Sequence, residues 1–139
     1  MSEIAERLTE NLEALTRDES GLIQRVYEDL FEHHTSVAEL FALHRRAVRT
    51  DMLREVLAIA VAQAEGDSWV DEYLDSLGFK HSASGVTPEM YDWFVECLMR
   101  VFAEISGPQW CSELEEGWRD VLGQVSAAML AAGAGAAES

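Results

Sequence analysis

The chain has 139 residues, about the length of one domain, and 48% of them are hydrophobic, which is enough to bury a core without disulfides or metals. Its formal net charge of −16 argues against nucleic acid or an anionic membrane as a partner. The N-terminal segment has no basic start followed by an apolar run, and no stretch is long enough to span a bilayer. We therefore expect a cytoplasmic protein in which Cys97 and Cys111 stay reduced, although the sequence alone also allows a disulfide between them.

Helical periodicity runs through almost the whole chain, and no segment alternates long enough to predict a strand. Thr16 and Glu19 have the spacing of a capping box, and Thr87 followed by Pro88 is a second helix start. The helices predicted in chain order cover about 2–15, 17–32, 37–41, 47–64, 69–81, 88–106 and 109–129. The fold class is therefore all-α, with six long or medium helices and a short third one. Residues 1–131 are expected to form the domain, and 132–139 a flexible C-terminal tail.

One histidine lies on the apolar side of a predicted helix. Val70, Leu74, Leu77 and His81 are separated by steps of 4, 3 and 4 residues, which places them on one stripe of the helix over 69–81. Both ring nitrogens of a buried histidine need partners. His81 is therefore either satisfied by nearby hydrogen bonds or ligates something.

Four segments, taken in order, resemble the bacterial single-domain globins of the flavohaemoglobin type. VYEDLFEHHTSVAELF is similar to the second helix of that family and the corner after it, and MLREVLAIA to its distal helix. LGFKHSASGVTPEMYDWF resembles the proximal histidine segment, and WCSELEEGWRDVLGQV the last helix. The resemblance implies a globin-like helical sandwich around a haem pocket, with haem b as the cofactor.

The resemblance also implies roles for individual residues. His81 would be the proximal ligand of the haem iron, and Phe41 would stack on the porphyrin. Tyr27 would be a distal residue that donates to a bound ligand, although its hydroxyl could instead bond to backbone. The further pocket residues that the resemblance implies are Leu77, Val86 and Tyr91. The family pairs a tyrosine at the last of these positions with a glutamate near the chain end, and the stretch AAMLAAGAGAAE has no match for it.

The distal helix departs from the family pattern. If Leu53 packs over the iron, Arg49 takes the position where the family usually has glutamine or histidine, whereas a shift of one residue would place Thr50 there. Arg45 and Arg49 belong to a basic cluster at the start of this helix, where the helix dipole disfavours positive charge. They would anchor the haem propionates, or else form a solvated charge cluster.

The function expected from the resemblance is reversible binding of dioxygen, and of nitric oxide or carbon monoxide, by a carrier, store or sensor. One alternative is a nitric oxide dioxygenase, which would need an external reductase. Another is a haem-free sensory module that keeps only the helices. The resemblance also allows a homodimer.

Overall fold

The computed structural model describes residues 3–41 and 46–138, and within these ranges it is helical apart from short connections. The all-α prediction and the order of the helices are confirmed. The α-helices of the described chain are α1 (Glu3–Leu15), α2 (Glu19–His33), α3 (Thr35–Phe41), α4 (Arg46–Glu65), α5 (Val70–Ala83), α6 (Pro88–Ser106) and α7 (Ser112–Glu138). α7 therefore continues as helix well beyond the predicted end at 129.

The start of α2 differs from the predicted capping box. A single 3₁₀ turn covers Thr16–Asp18, and the Asp18 carboxylate accepts a hydrogen bond from the backbone N–H of Gly21 at 3.1 Å. The hydroxyl of Thr16 instead donates back to the carbonyl of Leu12 at 2.8 Å. Asp18 is thus the cap of α2, because the extra turn moves the helix start past Thr16. The breaks after α4, α5 and α6 are made by glycines with positive φ, namely Gly66, Gly85 and Gly107.

At one end of the molecule, α1, α6 and α7 pack together into a hydrophobic core. Trp118 is completely buried, and its indole N–H donates to the side-chain oxygen of Asn11 at 2.9 Å. The amide of Asn11 in turn donates to the hydroxyl of Ser106 at 3.0 Å, so the buried polar atoms satisfy one another. Phe102 packs edge-on against Trp118 with ring centroids 5.1 Å apart.

An ion pair joins the buried carboxylate of Asp29 on α2 to Arg100 on α6, whose side chain is 38% exposed. Arg100 donates to the Asp29 carboxylate at 2.6 Å, and the thiol of the buried Cys97 donates to the carbonyl of Val26 at 3.2 Å. Burial, the largest single influence, would raise the pKa of Asp29, but the hydrogen bonds from Arg100 and Cys97 and the nearby charges of Arg100 and His33 together hold the pKa below its ordinary value. Cys97 and Cys111 are both free.

The helix that carries His81 is pressed closely against the last helix. A Cβ atom placed on Gly78 of α5 would lie 2.4 Å from the backbone oxygen of Met129 on α7. Glycine is therefore required for this approach, and it fixes where α5 sits relative to α7. In the described chain, no helix combines the length and the apolar character that crossing a membrane requires.

Candidate functional site

A cavity of about 600 Å³ opens between α4 and α5 and is closed by α2, α3, α6 and α7. Its size lies in the usual range for sites that hold small molecules or cofactors, and most of its lining is apolar. The residues that line it are Tyr27, Leu30, Val37, Leu40, Phe41, Met52, Glu55, Val56, Leu77, Lys80, His81, Ser84, Val86, Met90, Tyr91, Phe94, Val95, Leu122, Val125, Ser126 and Met129.

His81 lies on the α5 wall of this cavity with one nitrogen held by its own helix. Its Nδ1 is 2.8 Å from the backbone oxygen of Leu77, and a carbonyl can only accept, so Nδ1 carries the proton. In the neutral ring Nε2 then has a free lone pair, and within the described residues this nitrogen has no protein partner. The arrangement leaves a half-buried imidazole at an apolar cavity with a donor atom available for coordination.

The other residues predicted near His81 are also on the cavity wall. Leu77, Val86 and Tyr91 all line it, and the N–H of Val86 donates to the His81 carbonyl at 3.0 Å, which holds the chain close after α5 ends. The rings of Tyr91 and His81 are 6.5 Å apart and tilted. Burial raises the pKa of Tyr91, which therefore keeps its proton.

An aromatic cluster forms the wall that α2 and α3 contribute. Phe41 and Tyr27 both line the cavity, with ring centroids 5.5 Å apart, and Phe31 packs behind them at 5.8 Å from each. The Tyr27 hydroxyl donates to the backbone oxygen of Arg49 at 2.8 Å. This is the second of the two arrangements considered from the sequence, in which the phenol bonds to backbone.

The α4 wall has a different register from the predicted one. Met52, Glu55 and Val56 line the cavity, whereas Leu53 is 1% exposed in the helical core and is not on the cavity wall. Arg49 is also absent from the wall. Its Cζ lies 5.6 Å above the ring of Phe31, and its Nε is buried without a hydrogen-bond partner.

The polar groups of the cavity were not all predicted. Lys80, the single lysine of the sequence, lies on the wall beside His81. Glu55 accepts a hydrogen bond from the Tyr73 hydroxyl at 2.5 Å, and this bond is the main reason that the pKa of Tyr73 is raised. The position of Lys80 next to His81 in the sequence was the signal that could have revealed it. Arg45, predicted as a propionate anchor, lies outside the described residues.

Comparison with known proteins gives a consistent picture. A family model described as Globin matches residues 24–129, which is more than half of the chain. A protein from Pseudomonas aeruginosa, whose structure is described as highly homologous to a human hemoglobin, is 24% identical with a TM-score of 0.82, covering 93% of this chain and 97% of its own. A bacterial globin from Campylobacter jejuni is 15% identical with a TM-score of 0.82, and the whole of each chain is covered. At these identities, the structural likeness shows the fold alone.

Proposed function

The chain belongs to the globin family, and we propose that it holds haem b in the cavity between α4 and α5, with His81 as the proximal ligand of the iron. The observation that carries the proposal is the hydrogen bonding of the two ring nitrogens of His81. Its Nδ1–H is bound to the Leu77 carbonyl, and its Nε2 is free at the wall of an apolar cavity. A backbone acceptor on the non-ligating nitrogen orients a histidine ligand and makes it more basic.

The rest of the cavity lining suits a flat, largely apolar cofactor with carboxylates at one edge, since the lining is mostly apolar and includes Lys80. When bound, haem supplies an iron with a coordination position open to a diatomic ligand. Phe41 offers an aromatic face to the macrocycle, and Met52 and Val56 make the α4 wall apolar. These side chains would keep water away from a haem bound in the cavity. Leu53 and Arg49 lie away from the wall, so their predicted contact with the ligand has less support than that of Met52 and Val56.

Lys80 is the described cation best placed to hold a carboxylate of the guest. It lies on the cavity wall one residue before His81, and its ammonium group is on an exposed residue, where a propionate would stay solvated. Arg45 remains a predicted second anchor. The sequence has no pair of cysteines spaced for covalent haem attachment, which supports haem b.

The proposed role is reversible binding of dioxygen, nitric oxide or carbon monoxide by a cytoplasmic carrier, store or sensor. An external reductase that keeps the iron ferrous and a homodimeric assembly belong to the same proposal. Reduction kinetics with added reductase and sedimentation of the purified protein would test these two points.

The test of haem binding compares two histidines with the same local geometry. His33 at the end of α2 also has its Nδ1 2.8 Å from the carbonyl four residues earlier, that of Asp29, but it is exposed and does not line the cavity. Absorption spectra of the wild type, His81→Ala and His33→Ala are recorded after haem is added to each protein. We expect an intense haem band in the wild type and in His33→Ala, and its loss or shift in His81→Ala.

Addition of imidazole to His81→Ala should restore the band, since the small molecule can occupy the space that the side chain vacates. A wild type that takes up no haem would remove the proposed function. A haem band that is the same in His81→Ala as in the wild type would keep the cofactor but remove His81 as its ligand.

A further inference from the structure

The Tyr27 hydroxyl carries one proton, and that proton is already used. The hydroxyl donates to the backbone oxygen of Arg49 at 2.8 Å, from a side chain that is 6% exposed. Burial raises the pKa of Tyr27, so the phenol does not ionise. A phenol that donates its only proton to a carbonyl can accept a hydrogen bond from a guest in the cavity, but it has none left to donate.

We propose that Tyr27 is a tether between α2 and α4 rather than a donor to the bound gas, and that the pocket therefore favours carbon monoxide and nitric oxide over dioxygen. This inference rests on the proposed haem function. Hydrogen-bond donors in the distal pocket decide how firmly dioxygen is held, because a dioxygen ligand draws electron density that an N–H or O–H group stabilises. Carbon monoxide gains much less from such a donor.

The neighbours of Tyr27 do not replace the missing donor. Within the described residues, the cavity wall made by α2, α3 and α4 contains Tyr27, Glu55 and apolar side chains. Glu55 accepts a hydrogen bond from the Tyr73 hydroxyl, and a carboxylate is an acceptor only. The apolar members of this wall are Leu30, Val37, Leu40, Phe41, Met52 and Val56.

Arg49 on α4 is another residue that could donate a hydrogen bond to a bound ligand, but its side chain is separated from the cavity by a layer of aromatic rings. Its Cζ lies over Phe31, and Phe31 is itself behind the wall that Tyr27 and Phe41 form. The backbone of Arg49, not its guanidinium, meets Tyr27. The bond from Tyr27 to Arg49 thus joins α2 to the first turn of α4. Among the described residues, it leaves the cavity wall made by α2, α3 and α4 without a side-chain group free to donate a hydrogen bond.

The experiment measures the dissociation rate of dioxygen and the C–O stretching frequency of the carbon monoxide complex in four haem-loaded proteins. These are the wild type, Tyr27→Phe, Met52→Gln and Met52→Leu. The Met52→Gln variant places an amide donor on the cavity wall at nearly constant side-chain size, and Met52→Leu is its apolar control. The haem band, recorded first, shows separately whether the proposed function holds.

We expect Tyr27→Phe to change the dissociation rate of dioxygen by less than about twofold and to leave the C–O frequency unmoved, because no donor is removed from the ligand. Met52→Gln should slow dioxygen loss about tenfold, the effect of a hydrogen bond of ordinary strength, while Met52→Leu does not. A tenfold faster loss in Tyr27→Phe, with a shift of the C–O frequency, would overturn the inference while leaving the haem function intact. Failure of the wild type to bind haem would overturn both.

Discussion

The α5 wall and the α4 wall of the cavity were predicted with different success, and the difference has a physical cause. On α5, Leu77 and His81 line the cavity as the spacing of the stripe predicts. On α4, the wall is made by Met52 and Val56, and the predicted Leu53 belongs to the core. The α5 stripe is narrow, so it can face inward in only one way.

The apolar face of α4 is wide, and one edge of it packs into the core while the other edge lines the cavity. Leu53, Leu57 and Ala60 are buried in the main core, which also contains residues of α1 and α2, while Met52 and Val56 face the cavity. Both sets have helical spacing, so periodicity alone does not distinguish them. The predictions below separate the two edges and the two walls, beginning with the largest effect.

Leu53→Ala and Met52→Ala should have opposite consequences. Leu53 is 1% exposed, so its truncation should lower the free energy of unfolding by about 2–5 kcal/mol through lost burial and the cavity left behind. Met52 already borders empty space, so its truncation should cost less stability and change the carbon monoxide binding rate more. Chemical denaturation and flash photolysis of both variants measure the two effects. If Leu53→Ala altered gas binding more than Met52→Ala, the register of α4 in the structure would be wrong.

Gly78→Ala tests how the α5 wall is held. The added Cβ would lie 2.4 Å from the Met129 backbone oxygen, so α5 or α7 must shift, and overpacking of this kind costs about 1–3 kcal/mol. Gly123→Ala on α7 is the control, because nothing lies within 4 Å of its Cβ position. We expect a lower unfolding midpoint and faster haem loss only in Gly78→Ala. Equal behaviour of the two variants would show that the close contact does not position His81.

The Asp29–Arg100 pair joins α2 to α6, and both of these helices contribute residues to the cavity lining. The folded-state pKa of Asp29 lies below its ordinary value of 3.8, so its stabilising effect is present above that pH and is lost as the pH falls through the folded pKa. Asp29→Asn should lower the free energy of unfolding at neutral pH by about 1.5–3 kcal/mol, the value of hydrogen bonds to a charged group.

The stability difference between the wild type and Asp29→Asn should begin to shrink near pH 3.8, the ordinary pKa at which Asp29 of the unfolded chain takes up its proton, and should be lost once the pH falls below the folded-state pKa. Urea unfolding at a series of pH values measures it. A difference that stays constant down to the acid limit would mean that the ion pair is not the source of the stabilisation.

The sequence by itself determined the all-α class, the helix order and the apolar stripe that ends in His81. Helix periodicity is a local signal, and the structure reproduces the order of helices that it predicts. Leu77 and His81 belong to the predicted stripe and both line the cavity, whereas Val86 follows the end of α5 and is held there by its N–H bond to the His81 carbonyl. The roles of these residues toward haem stay predictions until the spectra are measured.

Only the tertiary structure decided whether each apolar stripe of a helix faces the core or the cavity. His33 and His81 make the same bond to a carbonyl four residues earlier, yet His33 is on the surface and His81 is on the cavity wall. For His81, the close packing of α5 on α7 fixes where the predicted stripe lies in the fold. The partner of Tyr27 is likewise set by the tertiary structure, because its hydroxyl donates to the backbone oxygen of Arg49 on α4, 22 residues away in the chain. Contacts between helices depend on the geometry of the whole fold, which a one-dimensional pattern of apolar residues does not contain.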